Sequence, residues 1–298
     1  MPELPEVETI RIGLQKKIVG LKIKKVELLT PKSFIGDSKI ITGKVILNIW
    51  RKAKMLGIDL GNLSLLIHLK MTGQLIYDDG KRFILDAKHT KEDAGGRFIG
   101  GHPTPDMVGS LPNKSTRVIF IFDDGSKLYF NDQRRFGWIR VIRGKGEGER
   151  GKLFDKLGPE PLEKEFTWEV LKKNLLRHKS MPVKVALLDQ SVVSGIGNIY
   201  ANEACFAAGI DPRTVVGDLG DRGFKKLHKG VIRVIKDGIK HGGSSRAHFV
   251  DSEGNKGYFL DYAKVYWRDK KPCKVCGEII QKIQLRGRGT YYCPKCQK

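Results

Sequence analysis

Apolar residues Leu4, Val7, Ile10, Leu14 and Ile18 recur every three or four positions near the start of the chain, the spacing of one buried helix face. The pattern predicts an amphipathic helix over residues 3–19, with Pro2 at the end of a rigid rod. From residue 22 to residue 141 the period changes. Short runs of β-branched and aromatic residues (KVILNIW, LSLLIHL, TRVIFIF, KLYF) are separated by turn signals such as GN and DDG, so this part reads as mostly antiparallel β structure. Residues 88–113, KHTKEDAGGRFIGGHPTPDMVGSLPN, show no period and are expected to form a long surface loop. The stretch RGKGEGERG at 143–151 has the glycine and charge of an exposed linker, and a domain boundary is placed there. Beyond it helical patterns run over 167–177, 182–188, 198–208 and 222–241, and a cysteine-bearing segment with β character ends the sequence.

Composition narrows the class of partner. A chain of 298 residues with 40% hydrophobic and 30% charged residues can bury a substantial core, and its length suggests about two domains. Lys and Arg number 55 against 33 Asp and Glu, which leaves a net charge of +22. Such an excess suits a polyanion, although ribosome-associated and membrane-surface proteins share it. No apolar run approaches the roughly 20 residues that span a bilayer, and MPELPEVETIRIGL lacks a basic region followed by an apolar stretch, so a cytoplasmic location is expected.

Four of the five cysteines fall in two close pairs, Cys273-x2-Cys276 and Cys293-x2-Cys296, while Cys205 stands alone. Enough chain separates the pairs for a β-hairpin to bring four thiolates to one ion. Tetrahedral zinc is the natural product, with reduced structural thiols or an iron–sulfur centre as the alternatives. A closed four-thiolate shell has no open position for water, so the metal is expected to be structural. Between the pairs, QLRGRGT places two arginines on glycines at the expected hairpin tip, where they suit phosphate oxygens or form a solvated turn.

Once Met1 is removed, Pro2 carries a secondary amine, and α-amino groups titrate near about 7.7–8.0. Such an amine can add to C1′ of a deoxyribose and form an iminium, which acidifies the C2′ proton and permits strand cleavage by elimination. Glu3 and Glu6 share a face of the first helix turn, and either is placed to move protons. The same residues also serve as ordinary helix-start choices, a proline in the first turn with acids beside it.

Three motifs change that balance. MPELPEVET at the start, GIGNIYANE in the middle and the closing cysteine box together resemble the formamidopyrimidine-DNA glycosylase family, in the family's order and over nearly the whole chain. The resemblance implies an α+β fold. Its parts would be a helix with a β-sandwich over 1–143, a helix-two-turn-helix region over 144–265 and a four-cysteine zinc finger over 266–298. It implies a bifunctional glycosylase and abasic-site lyase that removes oxidised purines from double-stranded damaged DNA as a monomer. Carried across residue by residue, Pro2 is the nucleophile, Glu3 the acid/base, and Lys54 in WRKAKMLGIDL a proton donor during elimination. Met71 in HLKMTG, with Arg134 and Phe136 in NDQRRFG, fill the stack vacated by the extruded base. Lys179, Lys184 and Asn198 match phosphate-contacting positions, and Arg288 matches an arginine assigned to phosphate contact and the second elimination.

The sequence departs from the family's pattern at Ser115, where relatives place a histidine, at Gln133, where proline is frequent, in the longer 88–113 stretch, and in GGSSRAHF. Two other readings are kept: an endonuclease VIII-like enzyme for oxidised pyrimidines, and a catalytically silent DNA-binding zinc protein.

Overall fold

The computed structural model describes residues 1–80, 97–101, 109–144, 149–244 and 259–298. They fall into two compact units. One comprises residues 1–154 with 242–257, the other residues 155–241 with 258–298.

The first unit opens with helix α1 (Leu4–Ile18), and every one of the five apolar residues that predicted it is fully buried. Among the described residues ten strands follow: β1 (Ile23–Leu28), β2 (Phe34–Ile35), β3 (Asn48–Lys52), β4 (Met55–Asp59), β5 (Leu63–His68), β6 (Gly73–Asp78), β7 (Arg97–Gly101), β8 (Thr116–Phe122), β9 (Lys127–Asp132) and β10 (Trp138–Arg143). They form two five-stranded sheets, β1-β8-β9-β6-β7 and β2-β10-β5-β4-β3. All pairings are antiparallel except the short one between β2 and β10. Inward residues of both sheets, such as Phe120, Phe130 and Leu75 on one and Leu56, Leu65 and Ile139 on the other, join Ile10, Leu14 and Ile18 in one core. This is a β-sandwich. Helix α1 packs against β3 and β7, an edge strand of each sheet, and so covers two edges that would otherwise stand open.

The stretch 88–113 is not wholly a loop. Its residues 97–101 form β7, which pairs with β6 and buries Phe98. The alternation was hidden because the strand reads RFIGG. Its glycine is a packing device, since a Cβ at Gly100 would lie 2.7 Å from Ile10 on α1, and one at Gly13 on α1 would overlap the Phe98 ring. The helix reaches the edge strand because two side chains are missing. The expected linker is shortened as well: β10 runs to Arg143, and helix α2 occupies Glu149–Phe154. Within these stretches, residues 88–96, 102–108 and 145–148 lie outside the described residues.

The second unit holds α3 (Trp168–Leu176), α4 (Val183–Ala186), α5 (Asn198–Ala208), α6 (Asp221–Lys240) and α7 (Phe259–Tyr262), then the hairpin of β11 (Gln281–Leu285) and β12 (Arg288–Tyr292). Helix α5 packs along α6, and it is buried nearly all round by Tyr200, Ala201, Ala204, Cys205 and Ala208. Among the described residues no helix is long and apolar enough to cross a membrane.

Candidate functional site

In the first unit, the start of α1 gathers polar groups that are all buried: Glu3, Glu6 and Lys54, with Pro2 beside them. Glu3 is the N-cap of α1. Its backbone N–H donates to Glu6 Oε2 at 2.8 Å in a capping box. The other Glu6 oxygen accepts the Ser244 N–H at 2.8 Å, and the same unit brings in Gly243, at φ +83°, where a Cβ would lie 3.0 Å from Glu6 Cγ. Both Glu6 oxygens therefore accept backbone donors, and the Glu3 side chain accepts the Glu6 backbone N–H in the same capping box. The remainder of GGSSRAHF, residues 245–249, lies outside the described residues.

Lys54 sits in the two-residue turn that joins β3 to β4, after Ala53 at φ +51°. That turn folds the lysine inward, so it is not the surface lysine that its basic neighbours suggest. Its charge acts on two groups. Burial lowers the amine at Met1 below its ordinary value, the Glu3 and Glu6 carboxylates oppose that shift, and Lys54 adds to it. Burial, reinforced by Lys70 and Lys54, also pulls the His68 imidazole down to about 3. His68 is thus neutral, and its Nδ1 accepts the Lys70 N–H at 3.0 Å. The sequence reading passed over His68, because one histidine at a strand end carries no local signal.

Met71, Arg134 and Phe136 lie on two turns of the same unit, and all three are exposed; Met71 is 39% and Phe136 55% accessible. Large apolar residues at such exposure do not serve the core. The Arg134 guanidinium lies 4.9 Å over the Phe136 ring. What ties the two turns together is the buried Asp132. Its carboxylate accepts the Thr72 hydroxyl, the Arg134 N–H at 3.2 Å and the Gly137 N–H at 2.7 Å. The Arg134 N–H also reaches Thr72 Oγ1 at 3.0 Å. Asp132 and Thr72 were not singled out in the sequence. The motifs that contain their neighbours were the available signal. Ser115 is buried, and its carbonyl accepts the Asp132 N–H at 2.8 Å, so at this position the chain has a short internal side chain.

In the second unit, Asn198 opens α5 as predicted. Its Nδ2 donates to the Gly289 carbonyl at 3.1 Å, and Lys184 Nζ donates to Asn198 Oδ1 at 2.5 Å and to the same carbonyl at 3.5 Å. Lys184 is 0% exposed, so its charge lies beneath Asn198 and the hairpin rather than on the surface. Arg288 is exposed next to Gly289. It follows a tight turn in which Arg286 and Gly287 both have positive φ, +46° and +72°. Lys184, Asn198 and Arg288 are thus brought together. Lys179 is exposed, and its carbonyl accepts the Gly217 N–H at 2.8 Å.

The four paired cysteines converge, with all Sγ atoms within 4.8 Å of one another, at 3.4 Å for Cys276–Cys293 and 3.9 Å for Cys273–Cys296. Tetrahedral zinc with bonds of about 2.3 Å needs sulfurs about 3.8 Å apart, so the set fits a single structural zinc. Cys205 is fully buried, and burial pushes its thiol up to about 12, which leaves it inert.

Comparison with known proteins assigns the whole chain. Residues 1–139 match the formamidopyrimidine-DNA glycosylase N-terminal domain, 157–249 the formamidopyrimidine-DNA glycosylase H2TH domain, and 270–298 a zinc finger found in FPG and IleRS. The chain belongs to the formamidopyrimidine-DNA glycosylase family. A formamidopyrimidine-DNA glycosylase of Listeria monocytogenes serotype 4b is 36% identical over 303 residues, with 100% of each chain covered. Among solved structures, a Lactococcus lactis FPG mutant in complex with Fapy-dG-containing DNA matches with a TM-score of 0.81, 31% identity and 100% of both chains covered. The Lactococcus lactis enzyme with abasic-site DNA matches at the same TM-score and identity over 99% of each chain. As a member of this family the chain is a DNA-repair glycosylase with a zinc finger, and the α+β reading holds.

Proposed function

We propose that this glycosylase excises oxidised purines from double-stranded DNA as a single chain and then cleaves the strand, with the amine of Pro2 as nucleophile. The amine attacks C1′ as the N-glycosidic bond breaks and its electrons leave with the base, which takes up a proton. The nitrogen sheds its proton, and ring opening gives an iminium. The iminium acidifies the C2′ proton, a base takes it as the 3′ phosphate leaves by β-elimination, and loss of a further sugar proton to a base expels the 5′ phosphate by δ-elimination. Glu3, beside Pro2 at the start of α1, is the proton carrier at the sugar. Lys54 donates a proton during elimination. Met71, Arg134 and Phe136 fill the stack left by the extruded base. Lys179, Asn198 and Arg288 hold phosphates, and Lys184 supports Asn198 and the hairpin from beneath. The zinc bound by Cys273, Cys276, Cys293 and Cys296 keeps that hairpin folded and takes no part in the chemistry.

The observation that supports this reading is the burial of Pro2, Glu3 and Lys54 at the start of α1. Pro2 acts only as a free amine, so Met1 has to be absent from the active form. Borohydride reduction of the enzyme with 8-oxoguanine duplex is expected to trap a covalent adduct that Pro2→Gly diminishes. No adduct on any damaged or abasic duplex overturns the lyase mechanism and leaves a lesion-binding zinc protein. Faster release of oxidised thymine than of 8-oxoguanine opposite cytosine overturns the purine preference.

A further inference from the structure

Residues 264–267 lead from α7 to the zinc region, and a single carboxylate fixes their backbone. Glu203 on α5 is buried and accepts the N–H groups of Lys264 and Val265 at 2.9 Å and of Tyr266 at 2.8 Å. Burial pushes this carboxyl up, and the three donors hold its charge in place. Helix α5 also holds the hairpin through Asn202 Oδ1, which accepts the Tyr291 N–H at 2.7 Å. One helix thus positions both the Arg288 hairpin and the segment beside it.

From that base a ladder of rings runs outward. Tyr291 is buried, Tyr266 meets it edge-on at 5.2 Å, and Trp267 stacks on Tyr266 at 5.3 Å with 24° between the planes. Trp267 is 42% exposed. Its φ of +56° lies in the left-handed region, where a bulky side chain is strained and glycine is at ease. Core packing does not explain a strained residue whose ring is open to solvent. Strain of this kind persists where the surrounding structure over-determines it, and it concentrates at binding sites.

The surroundings name the ligand's chemistry. RDKKPCK at 268–274 and Lys264 add five cations against one acid, Asp269. Two of these cations are held in place, Arg268 by donating to the Pro272 carbonyl at 2.8 Å and Lys274 Nζ by donating to the Asp261 carbonyl at 2.5 Å. A flat exposed ring amid these cations suits a polyanion that carries flat faces, which is nucleic acid.

Building on the DNA-glycosylase reading, we propose that Trp267 is a DNA contact, its ring packing on a base or deoxyribose face of the strand whose phosphates meet the zinc hairpin. The contact extends the interface beyond Arg288 and Asn198, and Glu203 is the residue that positions it.

The test uses the zinc-loaded full chain and a duplex carrying an abasic-site analogue. Hydroxyl-radical footprinting read by mass spectrometry is expected to show Trp267 protected at saturating duplex, relative to free enzyme. Trp267→Ala and Trp267→Gly are expected to weaken the Kd about 5- to 100-fold, the range of one aromatic stack, and Trp267→Phe to retain most of the affinity. Because glycine relieves the left-handed backbone, Trp267→Gly is expected to keep or raise the Tm while binding falls. Equal oxidation of Trp267 with and without duplex overturns the inference, as does wild-type affinity in both the Ala and Gly variants. Lost affinity with a matching fall in Tm for Trp267→Gly also overturns it, by assigning the ring to stability. A wild-type enzyme that binds no duplex overturns the underlying reading instead.

Discussion

The start of α1 and the zinc hairpin each present a few polar groups from a rigid element, yet their rigidity has different origins. Helix α1 is held by hydrophobic burial: Ile10, Leu14 and Ile18 enter a core that draws on both sheets. The hairpin has almost no such core. Its buried cluster is Val265, Cys273, Ile280, Tyr291 and Cys293, and two of those five are themselves metal ligands. It relies on thiolates and on polar ties from Asn198, Asn202 and Lys184. A large apolar interface can hold buried Glu3, Glu6 and Lys54 in place, whereas a two-stranded hairpin is marginal in water and needs a covalent-like staple.

The sharpest way to break this comparison is to remove the metal. Cys293→Ser, or chelation, should cost the hairpin region most of the roughly 10–16 kcal/mol that structural zinc contributes in small domains. Metal content should fall well below one zinc per chain and DNA binding should be lost, while the sandwich keeps its far-UV signature. Stoichiometric zinc with intact binding in that variant contradicts the scheme. Leu14→Ala addresses the other region. Deleting this fully buried side chain should destabilise the first unit by about 2–5 kcal/mol in urea titrations, with zinc content unchanged. A variant that unfolds no earlier than wild type would show that burial of α1 is not what holds the site.

A further test concerns pH. His68 has its imidazole held at about 3 in the folded chain against an ordinary 6.5. The unfolded chain therefore binds the extra proton first. Stability from this group is complete above about pH 6.5 and is lost as pH falls towards 3, by at most about tenfold in the unfolding equilibrium per pH unit. His68→Gln should flatten that part of the stability profile. Superimposable profiles for the two proteins between pH 6 and 4 would remove His68 from the account.

Residues whose evidence is local were legible in the sequence. The spacing of Leu4 to Ile18 sufficed for α1, and two Cys-x2-Cys pairs sufficed for the metal centre, because each pattern is a property of neighbouring positions. Family motifs then singled out Met71, Arg134, Phe136 and Asn198, of which the first two and Phe136 prove exposed and Asn198 heads α5. Strand β7 was missed because its glycine serves a helix from elsewhere in the chain. Asp132, His68 and Glu203 were missed for a related reason. Each works through partners distant in sequence, such as Thr72 for Asp132 and residues 264–266 for Glu203.

By itself, the sequence determined the kinds of element, the metal's ligands and the chemistry on offer at Pro2 and Glu3, since periodicity, spacing and functional groups are read without long-range pairing. Tertiary structure alone decided which groups lost their water. It buried Lys54 in a turn, committed both oxygens of Glu6, neutralised His68 and left the Trp267 ring in the open. Desolvation and proximity set a group's reactivity, and both depend on residues that the chain brings together only when it folds.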